Sequence, residues 1–239
     1  VSSERLEYKD EKGNVYEGTL CYDKSVRARR PAVIVIHAFQ GISEFEEDKA
    51  YKLAKLGYVA LAADLYGKGN HGKSKEEAMG MTKELVKDRS ELGKRLKATR
   101  NALSSVEAVD QDRIACIGYC FGGLCALDMA RKAVPGIRGV VSFHGTLLPI
   151  EGEKRTKIRA KIQVINTFVR IRRREERIDG FFAEMNERSA DYNFVFHGHA
   201  QHGFTEPHAD KIGFPGVAYN EPAARRSWKM ATNFLAEAL

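Results

Sequence analysis

The stretch Arg113-Ile-Ala-Cys-Ile-Gly-Tyr-Cys-Phe-Gly-Gly123 changes pattern within a few residues. Ile114 to Ile117 is an apolar run of strand length that stops at Gly118, and helical spacing begins at Phe121 and continues through Leu124, Leu127 and Met129. Cys120 sits alone at the tip of the turn between them. Gly118 and Gly122, two residues before and two after it, let the backbones of strand and helix pass closely. A sharp strand-to-helix turn of this kind is a nucleophile elbow, which holds one side chain above the edge of a sheet. Cysteine there offers a thiolate, a better nucleophile than a hydroxyl, and the dipole and free N–H groups of a helix start stabilise it. The competing reading is a packing cysteine, since free Cys is among the most buried residue types.

The flanking sequence builds a sheet around the turn. Pro31 leads into the apolar run Ala32 to His37, a loop to Gly41, helical spacing from Glu46 to Leu56, and a second apolar run from Tyr58 to Ala63 that ends at Asp64. Strand, helix, strand is the unit of a parallel sheet with right-handed crossovers, and continuously apolar strands need helices on both faces. Leu6 to Lys9 and Val15 to Tyr22 predict an antiparallel edge pair. A polar helical region from Lys75 to about Val109 is expected to divide or bend at Gly93. Ile137 to Phe143, Ala160 to Ile165 and Asn193 to His197 predict later strands, and Ala223 to Ala238 a terminal helix. Residues 1–239 read as a single α/β domain, a three-layer sandwich on a mostly parallel sheet of about eight strands.

Composition narrows the function classes. With 43% hydrophobic and 30% charged residues in 239, the chain can bury one large core, and no apolar run approaches the ~18 residues of a membrane span. Cys21, Cys116, Cys120 and Cys125 show no paired zinc spacing and are too few for a disulfide scaffold. Free thiols in a reducing compartment follow, with the cytoplasm as default; the absence of an initiating Met leaves a removed leader open. The net charge of +7 comes largely from Arg27, Arg29 and Arg30 and from Arg170, Arg172, Arg173, Arg174 and Arg177. Neither group is interleaved with aromatics as a nucleic-acid stacking platform would be, so both read as solvated faces and no nucleic-acid partner is expected.

Gly118-Tyr-Cys-Phe-Gly-Gly123 resembles the elbow of the dienelactone hydrolase family, cysteine-dependent α/β-hydrolases. The resemblance extends over nearly the whole chain, through Gly57-Tyr-Val-Ala-Leu-Ala62, Asp64-Leu-Tyr-Gly-Lys-Gly69, Val141-Ser-Phe-His-Gly145, His202-Gly-Phe-Thr205 and Gly216-Val-Ala-Tyr-Asn220. It implies an α/β-hydrolase fold and hydrolysis of a small ester or lactone, with no cofactor, in a monomer or weak homodimer. Cys120 would be the nucleophile and His202, beyond the last predicted strand, the general base. One oxyanion-hole N–H belongs to Phe121 by the elbow geometry, and Phe39 occupies the family's position for the other. His144 and Tyr119 are candidates to contact ligand.

Three positions depart from the family. Ala38 follows the strand-ending His37 where a Glu that contacts the resting thiol is usual. Glu206 stands where dienelactone-specific members carry an Arg for the substrate carboxylate, which disfavours an anionic substrate there. The loop expected to supply the triad Asp reads Thr167-Phe-Val-Arg-Ile-Arg-Arg-Arg-Glu-Glu176, with Arg170 at the Asp position. A guanidinium would oppose the imidazolium that an acid stabilises. Three accounts compete: Glu175, Glu176 or Asp179 reaches His202; the chain is a weakened or inactive hydrolase-fold binding protein; or the recorded sequence carries a reading-frame error on this loop. His197-Gly-His-Ala-Gln-His202 has a spacing used for zinc, but Gln201 stands where such sites carry Asp, and no metal is expected.

Overall fold

The computed structural model describes residues 1–167 and 172–239, and the side chains of all these except 172–175. The strands are β1 (Ser2–Lys9), β2 (Val15–Tyr22), β3 (Arg30–Ile36), β4 (Val59–Ala63), β5 (Val109–Tyr119), β6 (Ile137–Phe143), β7 (Lys161–Thr167) and β8 (Tyr192–His197). They form one eight-stranded sheet in the order β1-β2-β4-β3-β5-β6-β7-β8, antiparallel at β1, β2 and β4 and parallel from β4 onward. The helices are α1 (Glu44–Lys55), α2 (Lys75–Lys87), α3 (Arg89–Ser104), α4 (Phe121–Arg131), α5 (Arg172–Glu187) and α6 (Glu221–Ala238).

Period-two geometry divides each apolar strand between two cores. On β3, Ala32, Ile34 and Ile36 face the layer that holds Leu92, Leu96, Leu127 and Phe181. Val33 and Val35 face Ala50 and Leu53 of α1 and Phe234 and Leu235 of α6. Both faces are therefore covered, which is why these strands read as unbroken apolar runs. After β3 the chain crosses to one side to form β4, and after β5 to the other side to form β6. The carboxyl ends of β3 and β5 are thus a topological switch point, where an open α/β sheet leaves a crevice.

Two expectations are corrected. The polar helical region breaks at Asp88, not at Gly93, which lies inside α3. The Asp88 side chain accepts from the N–H groups of Ser90 and Glu91, and a well-made cap fixes a helix start more firmly than one glycine breaks a helix. Strand β1 begins at Ser2, four residues before the apolar pattern does, because its ladder to β2 runs from Ser2 opposite Tyr22 to Lys9 opposite Val15.

Beneath the sheet a charged network ties three helices together. Asp128 accepts from Arg89 at 2.6 Å and from Arg131 at 3.3 Å; Arg131 also pairs with Glu184 at 2.8 and 3.0 Å, and Arg188 with Glu184 at 3.2 Å. Burial pushes the Glu184 carboxyl up, but Arg131 and Arg188 hold it below its ordinary value. Replacing Asp128 with Ala leaves the buried Arg89 guanidinium without its counter-charge and Arg131 with Glu184 alone, and the expected loss of unfolding free energy in urea titration is about 3–5 kcal/mol. A loss below about 1 kcal/mol would contradict a structural role for the network.

Candidate active site

Cys120 lies between β5 and α4 with φ 53° and ψ −107°, a conformation unfavourable for a residue with a Cβ. Its neighbours hold it there. The Cys120 N–H donates to Phe143 O at 3.0 Å, and Gly123 N–H donates to Cys120 O at 3.1 Å. A Cβ on Gly118 would lie 2.0 Å from Gly122 O, and one on Gly122 would lie 2.3 Å from Ile36 O. Both glycines are thus dictated by close backbone approach.

The loop after β3 is fixed atom by atom. His37 is fully buried; its Nδ1–H donates to Ala38 O at 2.7 Å while Nε2 accepts from Leu65 N–H at 3.2 Å, which defines the neutral tautomer. Burial pushes the His37 pKa down, consistent with that state. Glu46, the acid of the capping box with Ser43, accepts from the Ala38 backbone N–H. Tyr66 Oη donates to Phe39 O at 2.8 Å. With its carbonyl so engaged, Phe39 turns its N–H toward the Cys120 sulfur, and the Phe121 N–H points there too.

His202 comes from the loop beyond β8, where two tethers hold it. Its N–H donates to Gly216 O at 3.0 Å, and its carbonyl accepts from Ala218 N–H at 3.1 Å. The ring reaches Cys120, with Nε2 and Sγ 3.0 Å apart. Beside it, His144 Nε2 lies 2.7 Å from Thr205 Oγ1, and the two histidine rings meet edge to face at 5.0 Å.

A cavity of about 220 Å³ opens over the pair, lined by Ala38, Phe39, Met79, Thr82, Lys83, Cys120, His202, Gly203, Glu206, Ile212, Phe214 and Val217. A larger surface cleft of about 800 Å³ between α3 and residues 148–153 carries mixed Lys and carboxylate side chains and neither Cys nor His. Of the two, this cavity brings a thiol and an imidazole together, and it stands at the switch point between β3 and β5.

Cys120, His202, Phe39 and Phe121 meet around one sulfur atom. Tyr119 does not line the cavity: its ring is buried, stacked on Phe143 at 4.7 Å and edge-on to Phe45 at 4.8 Å. His144 stands behind His202 and is fully buried, so it too lies off the cavity wall. The loop position read as Arg170 and the side chain of Glu175 lie outside the described residues, and Glu176 and Asp179 are exposed. His197 packs its ring on Phe204, and His199 is exposed in a turn at φ 60°. No three potential ligands among the described residues are grouped to hold a metal. Cys116 and Cys125 are core residues, and Cys21 is buried with its sulfur 3.3 Å from Ser3 Oγ.

A profile of the dienelactone hydrolase family matches residues 17–239. The chain belongs to the dienelactone hydrolase family. It is 43% identical over 156 residues to the uncharacterized protein K02A2.1 of Caenorhabditis elegans, covering 64% of this chain and 99% of that one. It is 30% identical to a probable 2-oxo-3-(5-oxofuran-2-ylidene)propanoate lactonase of Bradyrhizobium, over 88% of this chain and 85% of that one. Among solved structures, a dienelactone hydrolase-like promiscuous phosphotriesterase from metagenomic libraries superposes with a TM-score of 0.92 at 29% identity, covering 99% and 98% of the two chains. The α/β-hydrolase fold and the carboxylic-ester hydrolase class expected of a dienelactone hydrolase therefore hold, and nothing in these comparisons favours an inactive binding protein. No helix among the described residues is long and apolar enough to cross a membrane.

What the sequence did not reveal is the support for the loop after β3. The Ser43-x-x-Glu46 spacing was a legible capping box, but its second use, holding Ala38 N–H, depends on how α1 docks.

Burial, with the Glu206 carboxyl adding to it, pushes the Cys120 thiol up to about 12, and the N–H groups of Phe121 and Phe39 only partly oppose this. The resting thiol is then neutral rather than half of an ion pair. Alkylation of Cys120 by iodoacetamide, followed by peptide mapping, is expected to accelerate with pH without levelling off below about pH 10; a plateau near an ordinary thiol value of ~8.5 would contradict it.

Proposed function

We propose that the chain hydrolyses a small carboxylic ester or lactone through an acyl-thioester on Cys120, with His202 as general base and the N–H groups of Phe39 and Phe121 as the oxyanion hole. The observation that carries this reading is the 3.0 Å contact between His202 Nε2 and Cys120 Sγ. As sulfur bonds to the carbonyl carbon, its proton passes to Nε2 and the carbonyl oxygen becomes an oxyanion, which the two N–H groups stabilise. Collapse breaks the bond to the alcohol oxygen, which leaves with the proton from Nε2. Water then attacks the thioester and gives a proton to Nε2; the C–S bond breaks, the acid departs and sulfur recovers its proton.

A neutral resting thiol makes the base necessary, since little thiolate exists before substrate binds. The apolar cavity and its modest volume favour a small acyl group.

With a p-nitrophenyl ester, Cys120→Ala and His202→Ala are each expected to lower kcat/KM by on the order of 10³-fold or more and to abolish any product burst. Turnover that survives both changes would exclude this mechanism.

A further inference from the structure

Glu206 enters the cavity from the turn that follows His202, its backbone N–H donating to Gly203 O at 2.9 Å. Its side chain is half-buried in a mostly apolar wall and forms no ion pair with any described residue. The groups that face it are few. From the turn before α4 and the His202 loop come Cys120 and His202, with buried Tyr119 behind them at the end of β5; from α2 comes Lys83, exposed at the rim; behind Ala38 lies Glu46 of α1, whose carboxyl is taken up by Ser43 and the Ala38 N–H. Lys75, nearby on α2, donates to Ile212 O at 2.8 Å and sits over the Phe214 ring. Phe39 and Phe214 supply aromatic surface to the same cavity, with centroids 6.2 Å apart. A carboxyl without a counter-charge, set among aromatic rings, is the chemistry that receives an organic ammonium ion.

We propose that Glu206 makes this cavity a site for esters that carry an ammonium group and discriminates against esters that carry a carboxylate. The proposal rests on reading the Cys120 cavity as the ester site. The electrostatics agree with it: burial, and Glu46 after it, push the Glu206 carboxyl up to about 8, the behaviour of an acid waiting for a positive partner. A bound ammonium would supply that partner and favour the ionised carboxylate. A bound carboxylate would meet a like charge as Glu206 ionises.

The charge at the thiol can be read without any turnover. In the full chain, Cys120 is modified with two methanethiosulfonate reagents, one trimethylammonioethyl and one sulfonatoethyl, with Cys120→Ala as the blank. Their rate ratio cancels the thiolate fraction, which is common to both. Between about pH 6.5 and 9.5 this cation-to-anion ratio is expected to rise about tenfold more in the wild type than in Glu206→Gln, the size of one charge acting across a partly screened cavity. Every other group of the cavity is common to both proteins, so only the difference reports Glu206. An equal rise in the two would overturn the proposal.

Matched p-nitrophenyl esters supply the second arm: 4-(trimethylammonio)butanoate against its neutral isostere 5,5-dimethylhexanoate. The kcat/KM ratio is expected to favour the cation in the wild type and to fall about tenfold in Glu206→Gln. A ratio unchanged by the substitution would count against Glu206 as the determinant. If neither ester is turned over, the hydrolytic mechanism fails while the reagent ratio still decides the charge preference.

Discussion

The approach of Gly122 to the end of β3 is the constraint on which the site depends. Helix α4 starts so close to β3 that a single added Cβ would meet Ile36 O at 2.3 Å, and the same crowding leaves no room for one at Gly118. A helix that begins this near the sheet forces the preceding residue into the positive-φ region, and Cys120 accordingly has φ 53°. The reward for that strain is position: the sulfur stands at the carboxyl end of the central strands, where the chain turns to opposite sides after β3 and β5 and leaves a crevice. Loosening the contact would let Cys120 relax and lower the sulfur into the sheet.

Around that fixed sulfur the polar groups are already oriented. The two carbonyls of the loop after β3 that could compete for the Phe39 N–H have donors of their own: that of Ala38 has His37, and that of Phe39 has Tyr66. Donors held in this way need no reorganisation when charge develops, which is where most electrostatic catalysis comes from. The enclosure has an opposite effect on the thiol, keeping it protonated at rest. Under the proposed mechanism the site combines a preorganised hole with a nucleophile that needs its histidine, and the 3.0 Å contact to His202 sits at the centre of both. The residue after His37 is Ala38 and brings no carboxyl to the thiol, while one enters the cavity from Glu206 on a different loop.

Much of this was legible in the sequence because the elbow is a local device. Two glycines at fixed offsets from one cysteine, between an apolar run and a helical pattern, state a geometry that needs no distant residue. The parallel strands were legible for a related reason, since burial on both faces leaves no polar position to interrupt them. Features that arise only from docking were not. The cavity wall made by Ile212 and Phe214 comes from an aperiodic segment, and Tyr119, one residue from Cys120, points to the opposite face because side chains alternate along a strand. Asp88 outdid Gly93 as a helix boundary because a capping side chain supplies hydrogen bonds, whereas a glycine only lowers propensity.

The central claim is that sulfur, not water or another side chain, attacks the ester carbonyl. Its most direct measurement is mass spectrometry of the protein quenched in acid during turnover of a slowly deacylated p-nitrophenyl ester, followed by peptide mapping. The account predicts one acyl group on the peptide that contains Cys120, released by hydroxylamine as a thioester should be. An acyl group on another residue, or steady product formation with no acylated peptide under conditions where release of the acid is slow, would contradict it.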